Sequence, residues 1–182
     1  RIIGEALSDT FAYRRLAELG DTFGHRLSGS PQLERAIQWA ADQMRIDGLE
    51  SVRLEPVMVP HWVRGQERVT IVGPEPQDLV MLGLGGSVGT PPEGIEASTI
   101  VVNSFDELDA LSQDVEGKIV VYNVPFTNYG QTVRYRTTGA SRAARHGAVA
   151  ALVRSVGPTG FRTPHTGNMG YTERDPRIPV AA

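Results

Sequence analysis

The sequence predicts an α+β protein in which two amino-terminal helices precede a β-rich region with one long helix packed on its sheet. Three patterns support this prediction. Residues 8–47 place apolar side chains at helical spacing, residues 51–122 hold short apolar runs bounded by Gly and Pro, and residues 130–146 return to helical spacing. The chain of 182 residues is 40% hydrophobic and 21% charged, which is typical of a folded globular protein.

The two amino-terminal helices are predicted over about residues 8–19 and 31–47. Gly20 is expected to end the first helix. The second has marked ends, because Ser30 can accept from free amide groups at its start and Gly48 can adopt the left-handed conformation that stops it. Its apolar face is formed by Leu33, Ala36, Ile37, Ala40, Ala41 and Met44.

Strands are predicted from residue 51 onward, interrupted by turns and two helices. A short helix is expected over residues 105–111, and a long helix from about Gly130 or Gln131 to His146 has a small-residue face that can approach a sheet closely. The apolar run that follows it is typical of a strand buried on both faces, which indicates a crossover unit. The predicted strands cover residues 52–59, 68–72, 79–82, 100–102, 119–122 and 148–153.

Near residues 61–66 the predicted structure changes from mainly helical to mainly strands. This change predicts a domain boundary between residues 1–61 and 62–182. The long stretch 155–176 is rich in Gly, Pro and Thr. Loops of this length in a compact domain are usually functional or form an interface. The closing run 177–182 is apolar and strand-like without a turn or cap, so we expect the chain to be a fragment.

Composition argues against several classes of protein. With 18 Lys and Arg against 21 Asp and Glu, the net charge of −3 disfavours a nucleic-acid binder held by a basic surface. No window approaches the roughly 20 apolar residues of a membrane helix, so no membrane partner is expected. The absence of Cys excludes disulfides, thiolate metal sites and cysteine nucleophiles within this chain.

One literal catalytic motif is present, the G-x-S-x-G pattern of Gly85, Ser87 and Gly89. A nucleophile elbow of this kind must lead into a helix. Thr90-Pro91-Pro92 follows instead, and two successive prolines do not continue a helix there. A glycine-rich strand end is therefore the favoured interpretation, and a serine hydrolase that uses Ser87 is a weaker alternative.

The histidines show no clear metal-ligand spacing, because none has Asp, Glu or His within three positions. His165 lies in the long loop and is the best of the four for a contact with substrate or partner. A solvated helix face is the favoured interpretation of the arginines of the long helix, Arg136 among them, and carboxylate binding through guanidinium geometry is the weaker alternative. The tyrosines at 122, 129 and 135 are expected to pack around the sheet edge. These residues alone form no catalytic constellation.

Longer sequence segments indicate a protein family more specifically than these short motifs do. Segments at matched spacing resemble the amino-terminal region of the M28 family of zinc metallopeptidases, of carboxypeptidase or dipeptidase type, from about residue 13 to residue 181. They include FGHRLSGS at 23–30, VPHW at 59–62, GTPPEG at 89–94, GKIVVY at 117–122 and PHTG at 164–167.

The resemblance implies an α/β catalytic domain that binds two zinc ions and carries an inserted protease-associated domain. Residues 1–61 would open the catalytic domain, and residues 62–182 would form the protease-associated domain, cut near its last strand. The family's zinc ligands and its general-base Glu follow the insert. The resemblance therefore assigns no catalytic residue, metal ligand or cofactor to this chain, and it implies two zinc ions for the parent enzyme.

The parent reaction implied is hydrolysis of dipeptides or short peptides, with the insert shaping the substrate cleft or a dimer contact. Candidate contacts are His165, Thr166, Tyr129 and Arg136. The implied partners are the remainder of the catalytic domain, a short peptide and a second copy in a homodimer, and the implied location is secreted or periplasmic. The alternative is a free-standing protease-associated module that binds peptides or proteins.

Overall fold

A computed structural model describes residues 2–158 and 163–182 and divides the chain into two units, Arg1–Val63 and Arg64–Ala182. Three helices make up the regular structure of the first unit: α1 (Ile2–Ser8), α2 (Phe11–Phe23) and α3 (Pro31–Ile46). Both predicted helices are present, and short α1 precedes them. Helix α2 continues through Gly20, so the predicted stop there is wrong, because a glycine in a helical conformation weakens a helix without ending it.

Helices α2 and α3 are joined by polar and aromatic contacts. The Trp39 indole N–H donates to Glu18 at 2.9 Å, the Trp39 and Phe23 rings lie 5.7 Å apart, and Arg15 pairs with Asp47 at 3.0 Å. Ser30 caps α3 as predicted, accepting from an amide of the first turn. Residues 52–59 are all described and form no strand, so that prediction is wrong: the segment has no strand partner among the described residues.

The second unit contains, in chain order, β1 (Val69–Ile71), β2 (Gln77–Leu79), β3 (Thr99–Val102), α4 (Phe105–Ala110), β4 (Ile119–Tyr122), α5 (Tyr129–Arg145), β5 (Ala150–Val153) and β6 (Val180–Ala181). It has a parallel four-stranded sheet in the order β3-β4-β5-β6 and a separate antiparallel hairpin, β1-β2. Its elements confirm the α+β class, with helix α5 packed on strands β4 and β5. The predicted strand at 79–82 is shorter and earlier than expected.

Helix α5 approaches the sheet closely because its inner face is made of small residues. A Cβ atom at Gly139 would lie 2.8 Å from the Tyr122 ring, so only glycine fits there without displacement. The Tyr122 hydroxyl donates to the Gly139 carbonyl at 2.7 Å, and burial raises the pKa of this phenol. The core around this contact includes Leu84, Val102, Phe105, Leu108, Val120, Tyr135, Ala140, Ala143 and Val153.

Strand β6 connects distant parts of the second unit. Its parallel partner is β5, where Ala151 pairs with Val180. On its other side, Leu82 and Ala182 exchange backbone hydrogen bonds of 2.8 and 2.9 Å. Residues 82–84 are thereby held to the sheet by the last strand in sequence.

Candidate functional site

The structure brings the four candidate contact residues together. The Arg136 guanidinium Nη1 lies 3.0 Å from Nδ1 of His165 and 3.4 Å from the Thr166 carbonyl oxygen. The Tyr129 ring meets the His165 imidazole edge-on, with centroids 5.6 Å apart. Tyr129 and Arg136 lie two turns apart on α5, so one helix and one loop build the cluster.

Arg136 is the buried member of this cluster, with 8% of its surface exposed. The favoured interpretation of a solvated helix face is therefore wrong for this arginine. The guanidinium lies against Gly167, where a Cβ atom would approach it to 2.6 Å. Thr166 and Tyr129 are exposed and His165 is half-buried, so the cluster reaches the surface.

The remaining arginines of α5 also have partners. The Arg134 and Arg142 guanidinium carbons lie 5.2 and 4.1 Å from the centroid of the Phe105 ring, in cation–π contact. Arg145 pairs with Asp175 at 2.9 Å.

The three tyrosines do not share one position. Tyr122 and Tyr135 are buried in the core, whereas Tyr129 is half exposed. The prediction that all three pack around the sheet edge is therefore wrong for Tyr122 and Tyr135.

Backbone and hydroxyl contacts hold the loop that carries His165. The Ser155 hydroxyl accepts from the His165 amide at 2.6 Å and donates to the Thr163 carbonyl at 3.0 Å. Gly85 donates to the Gly167 carbonyl and accepts from Met169, both at 2.9 Å. These bonds fix the backbone on both sides of the imidazole. Residues 159–162 of the same predicted loop lie outside the described residues.

Ser87 has a structural role in the backbone. Its hydroxyl accepts from the Val180 amide and donates to the Val88 carbonyl, both at 2.9 Å. No helix follows in the described residues 90–98. The glycine-rich strand end predicted from the Pro-Pro sequence fits this geometry, whereas a nucleophile elbow does not.

Within residues 2–158 and 163–182, no group of three or more His, Asp or Glu side chains lies close enough to hold a metal ion. His146 pairs with Asp109 at 2.9 Å, and His61 packs on Gly29. The described residues therefore do not fit a zinc site. No described helix is long and apolar enough to span a membrane.

One face of the parallel sheet carries an open row of apolar side chains. Val101, Val121, Leu152 and Ala181 pair in register across the four strands. They line a groove of about 530 Å³, and Val101 is 50% exposed. Because parallel sheets are usually covered on both faces, this row is a candidate interface.

No protein-family model matches the chain. Among curated proteins it is similar to carboxypeptidase Q from Bos taurus, 53% identical over 93% of this chain, and from Homo sapiens, 52% identical over 93%. Carboxypeptidase Q from Xenopus laevis is 53% identical over 94%. The chain spans 36% of the length of each of these relatives.

Solved structures give the same indication. A peptidase M28 precursor from Shewanella amazonensis superposes with a TM-score of 0.87 and 36% identity, covering 98% of this chain and 42% of that one. The zinc aminopeptidase BSAP from Bacillus subtilis has a TM-score of 0.55 at 20% identity, covering 93% of this chain and 37% of that one, and shows a shared fold alone. The predicted resemblance is thereby confirmed.

Proposed function

The chain is a homologue of carboxypeptidase Q and of an M28 peptidase, and we propose that it forms a non-catalytic part of a zinc exopeptidase acting on dipeptides or short peptides. The observation that carries the proposal is the 53% identity that covers 93% of this chain and only 36% of bovine carboxypeptidase Q. A segment that is similar nearly throughout, yet spans about a third of its relative, fits one part of a larger enzyme.

The two units have different proposed roles. The first unit opens the catalytic domain, and its exposed apolar side chains, such as Leu16, pack on the remainder of that domain. The second unit is the protease-associated insert. Its cluster of Tyr129, Arg136, His165 and Thr166 lines the substrate cleft, where these residues bind and orient a peptide, or else forms part of a homodimer contact.

The zinc chemistry belongs to the parent enzyme in this proposal. Two zinc ions held outside the described residues would activate a water molecule and polarise the scissile carbonyl. The contribution of this chain is to bind the peptide and limit its length. Export of the parent to a secreted or periplasmic location is part of the same proposal.

An assay of dipeptide hydrolysis with added zinc tests the proposal. We expect turnover by the protein that extends beyond residue 182 and none by the chain of residues 1–182. Turnover by residues 1–182 that survives repurification would overturn the non-catalytic role. Its loss in Ser87→Ala would then revive the serine hydrolase alternative, and a stop codon after Ala182 would favour a free-standing binding module.

A further inference from the structure

The guanidinium group of Arg136 is buried without a compensating carboxylate among the described residues. Its side chain is 92% buried, since 8% of its surface is exposed. The ion pairs of the described residues involve other arginines. Its Nε atom is buried and has no hydrogen-bond partner in the part of the chain that the structure describes. A buried charge of this kind is strongly unfavourable unless a counter-charge reaches it.

The contact with Arg136 determines which nitrogen of the His165 imidazole carries the proton. A guanidinium donates hydrogen bonds and accepts none, so Nδ1 of His165 accepts from Arg136 across their 3.0 Å contact. The neutral ring then carries its proton on Nε2. The pair thus offers a positive charge and an imidazole N–H donor, with no acceptor side chain between them.

The cluster is also held in place before any ligand arrives. Gly167 lets the guanidinium lie against the loop backbone, because a Cβ atom there would come within 2.6 Å of it. The Thr166 hydroxyl donates to the Gly83 carbonyl at 3.3 Å, and Ser155 fixes the His165 amide. Preorganised donors lose less conformational freedom when they bind.

We propose that Arg136 and His165 form a binding site for a carboxylate group. A carboxylate matches the planar donor fork of arginine and supplies the counter-charge that the described residues lack. Its source is either the terminal carboxylate of a short peptide or a carboxylate side chain of the parent protein beyond this chain. The first source rests on the proposed function, whereas carboxylate binding itself does not.

Nuclear magnetic resonance of residues 1–182 tests the site without any catalytic assay. Backbone amide signals of residues 163–170 are followed during titration with acetate, with the dipeptide Gly-Gly and with Gly-Gly amide, which lacks the carboxylate. We expect saturable shifts with the first two probes and none with the amide. Equal shifts with all three, or no shift with either carboxylate, would overturn the proposal.

Two variants make the test specific. Arg136→Lys keeps the charge and loses the fork, so we expect about tenfold weaker binding of acetate and Gly-Gly, the loss typical of one charge-assisted hydrogen bond. His165→Ala removes a half-buried side chain and provides the test if Arg136→Lys does not fold. This variant should also bind acetate and Gly-Gly more weakly. Unchanged affinity in a folded variant of either kind would overturn the assignment.

The two possible sources of the carboxylate are distinguished in the protein that extends beyond residue 182. If a peptide supplies it, Arg136→Lys raises KM for Gly-Gly and leaves KM for Gly-Gly amide unchanged. If the parent protein supplies it, the variant lowers the melting temperature and leaves the ratio of the two KM values unchanged. An unaltered melting temperature together with unaltered KM values would contradict both sources, while an inactive longer protein with intact acetate binding would contradict the proposed function alone.

Discussion

The two units of the chain differ sharply in how much apolar surface they bury. In the second unit, Leu84, Val102, Leu108, Val120 and Tyr122 are all completely buried. In the first unit, the buried hydrophobic residues are two small alanines of α3, whereas Leu16 is 66% exposed. The second unit has a core of its own, and the first has amphipathic helices with little to pack against. Similar helix-forming patterns therefore lead to different structures, depending on whether a sheet is present to receive the apolar face.

The largest effect is expected from removing a core side chain. Leu108→Ala should lower the free energy of unfolding by about 2–5 kcal/mol, because it leaves a cavity at a fully buried position. The matched variant Leu16→Ala, at an exposed position of the first unit, should change it by less than about 0.5 kcal/mol. Urea unfolding followed by circular dichroism measures both. Equal losses would contradict the difference in packing between the two units, since they would reveal a core around Leu16.

A glycine in each unit gives the next test, with opposite signs expected. Gly139→Ala should lower the free energy of unfolding by about 1–3 kcal/mol, because the new methyl group overlaps the Tyr122 ring. Gly20→Ala should raise it by about 0.5–1 kcal/mol, since nothing lies within 4 Å and alanine favours the helix. Thermal unfolding of the two variants measures the sign of each change. Changes of the same sign would contradict the difference in packing.

The helix caps of the two units are expected to contribute smaller amounts of stability. Ser104 and Ser30 each accept a hydrogen bond from an amide of the first turn, in α4 and α3 respectively. Ser104→Ala should lower the free energy of unfolding by about 0.5–2 kcal/mol, whereas Ser104→Gly should remove only a few tenths. Ser30→Ala should speed amide hydrogen exchange at the start of α3 and leave exchange in the second unit unchanged. Faster exchange throughout the chain would show that the units unfold together.

The smallest effect concerns acid stability in the second unit. The Thr172 hydroxyl, followed by the Arg145 guanidinium, lowers the pKa of Asp175. Its stabilising contribution is therefore complete above the unfolded pKa of about 3.9 and is lost as the pH falls through the lower folded value. Asp175→Asn should reduce the loss of stability in this acid range, as measured by urea midpoints at successive pH values. An unchanged pH profile would exclude Asp175 as a contributor.

Local sequence patterns predicted most helices and strands of the second unit. The apolar runs that became β3, β4 and β5 and the small-residue face of α5 carry their own periodicity, so neighbours along the chain were sufficient. The run at 52–59 carries a similar signal and forms no strand, because a strand also requires a partner for its backbone groups. Pairing is a property of the tertiary structure, which an apolar run alone does not determine.

The candidate site was predicted in part. The loop position of His165 and the guanidinium chemistry of Arg136 were visible in the sequence, and the structure places these side chains in contact. The burial of Arg136 was not visible, because helical periodicity does not reveal which face of α5 the distant loop covers. Gly167 was the available signal, since a glycine beside a candidate loop residue is compatible with a close approach of another group, here the Arg136 guanidinium.

The position of β6 affects how the protein is made on the ribosome. Its backbone joins β5 to residues 82–84, which are synthesised nearly a hundred residues earlier. Helices α2 and α3 are able to form while the chain is still growing, since their bonds are local. The sheet of the second unit, by contrast, stays open until residues 180–182 leave the exit tunnel. Until then, chaperones that shield apolar segments during translation would find binding sites in residues 79–153 as well as on the exposed apolar side chains of the helical first unit.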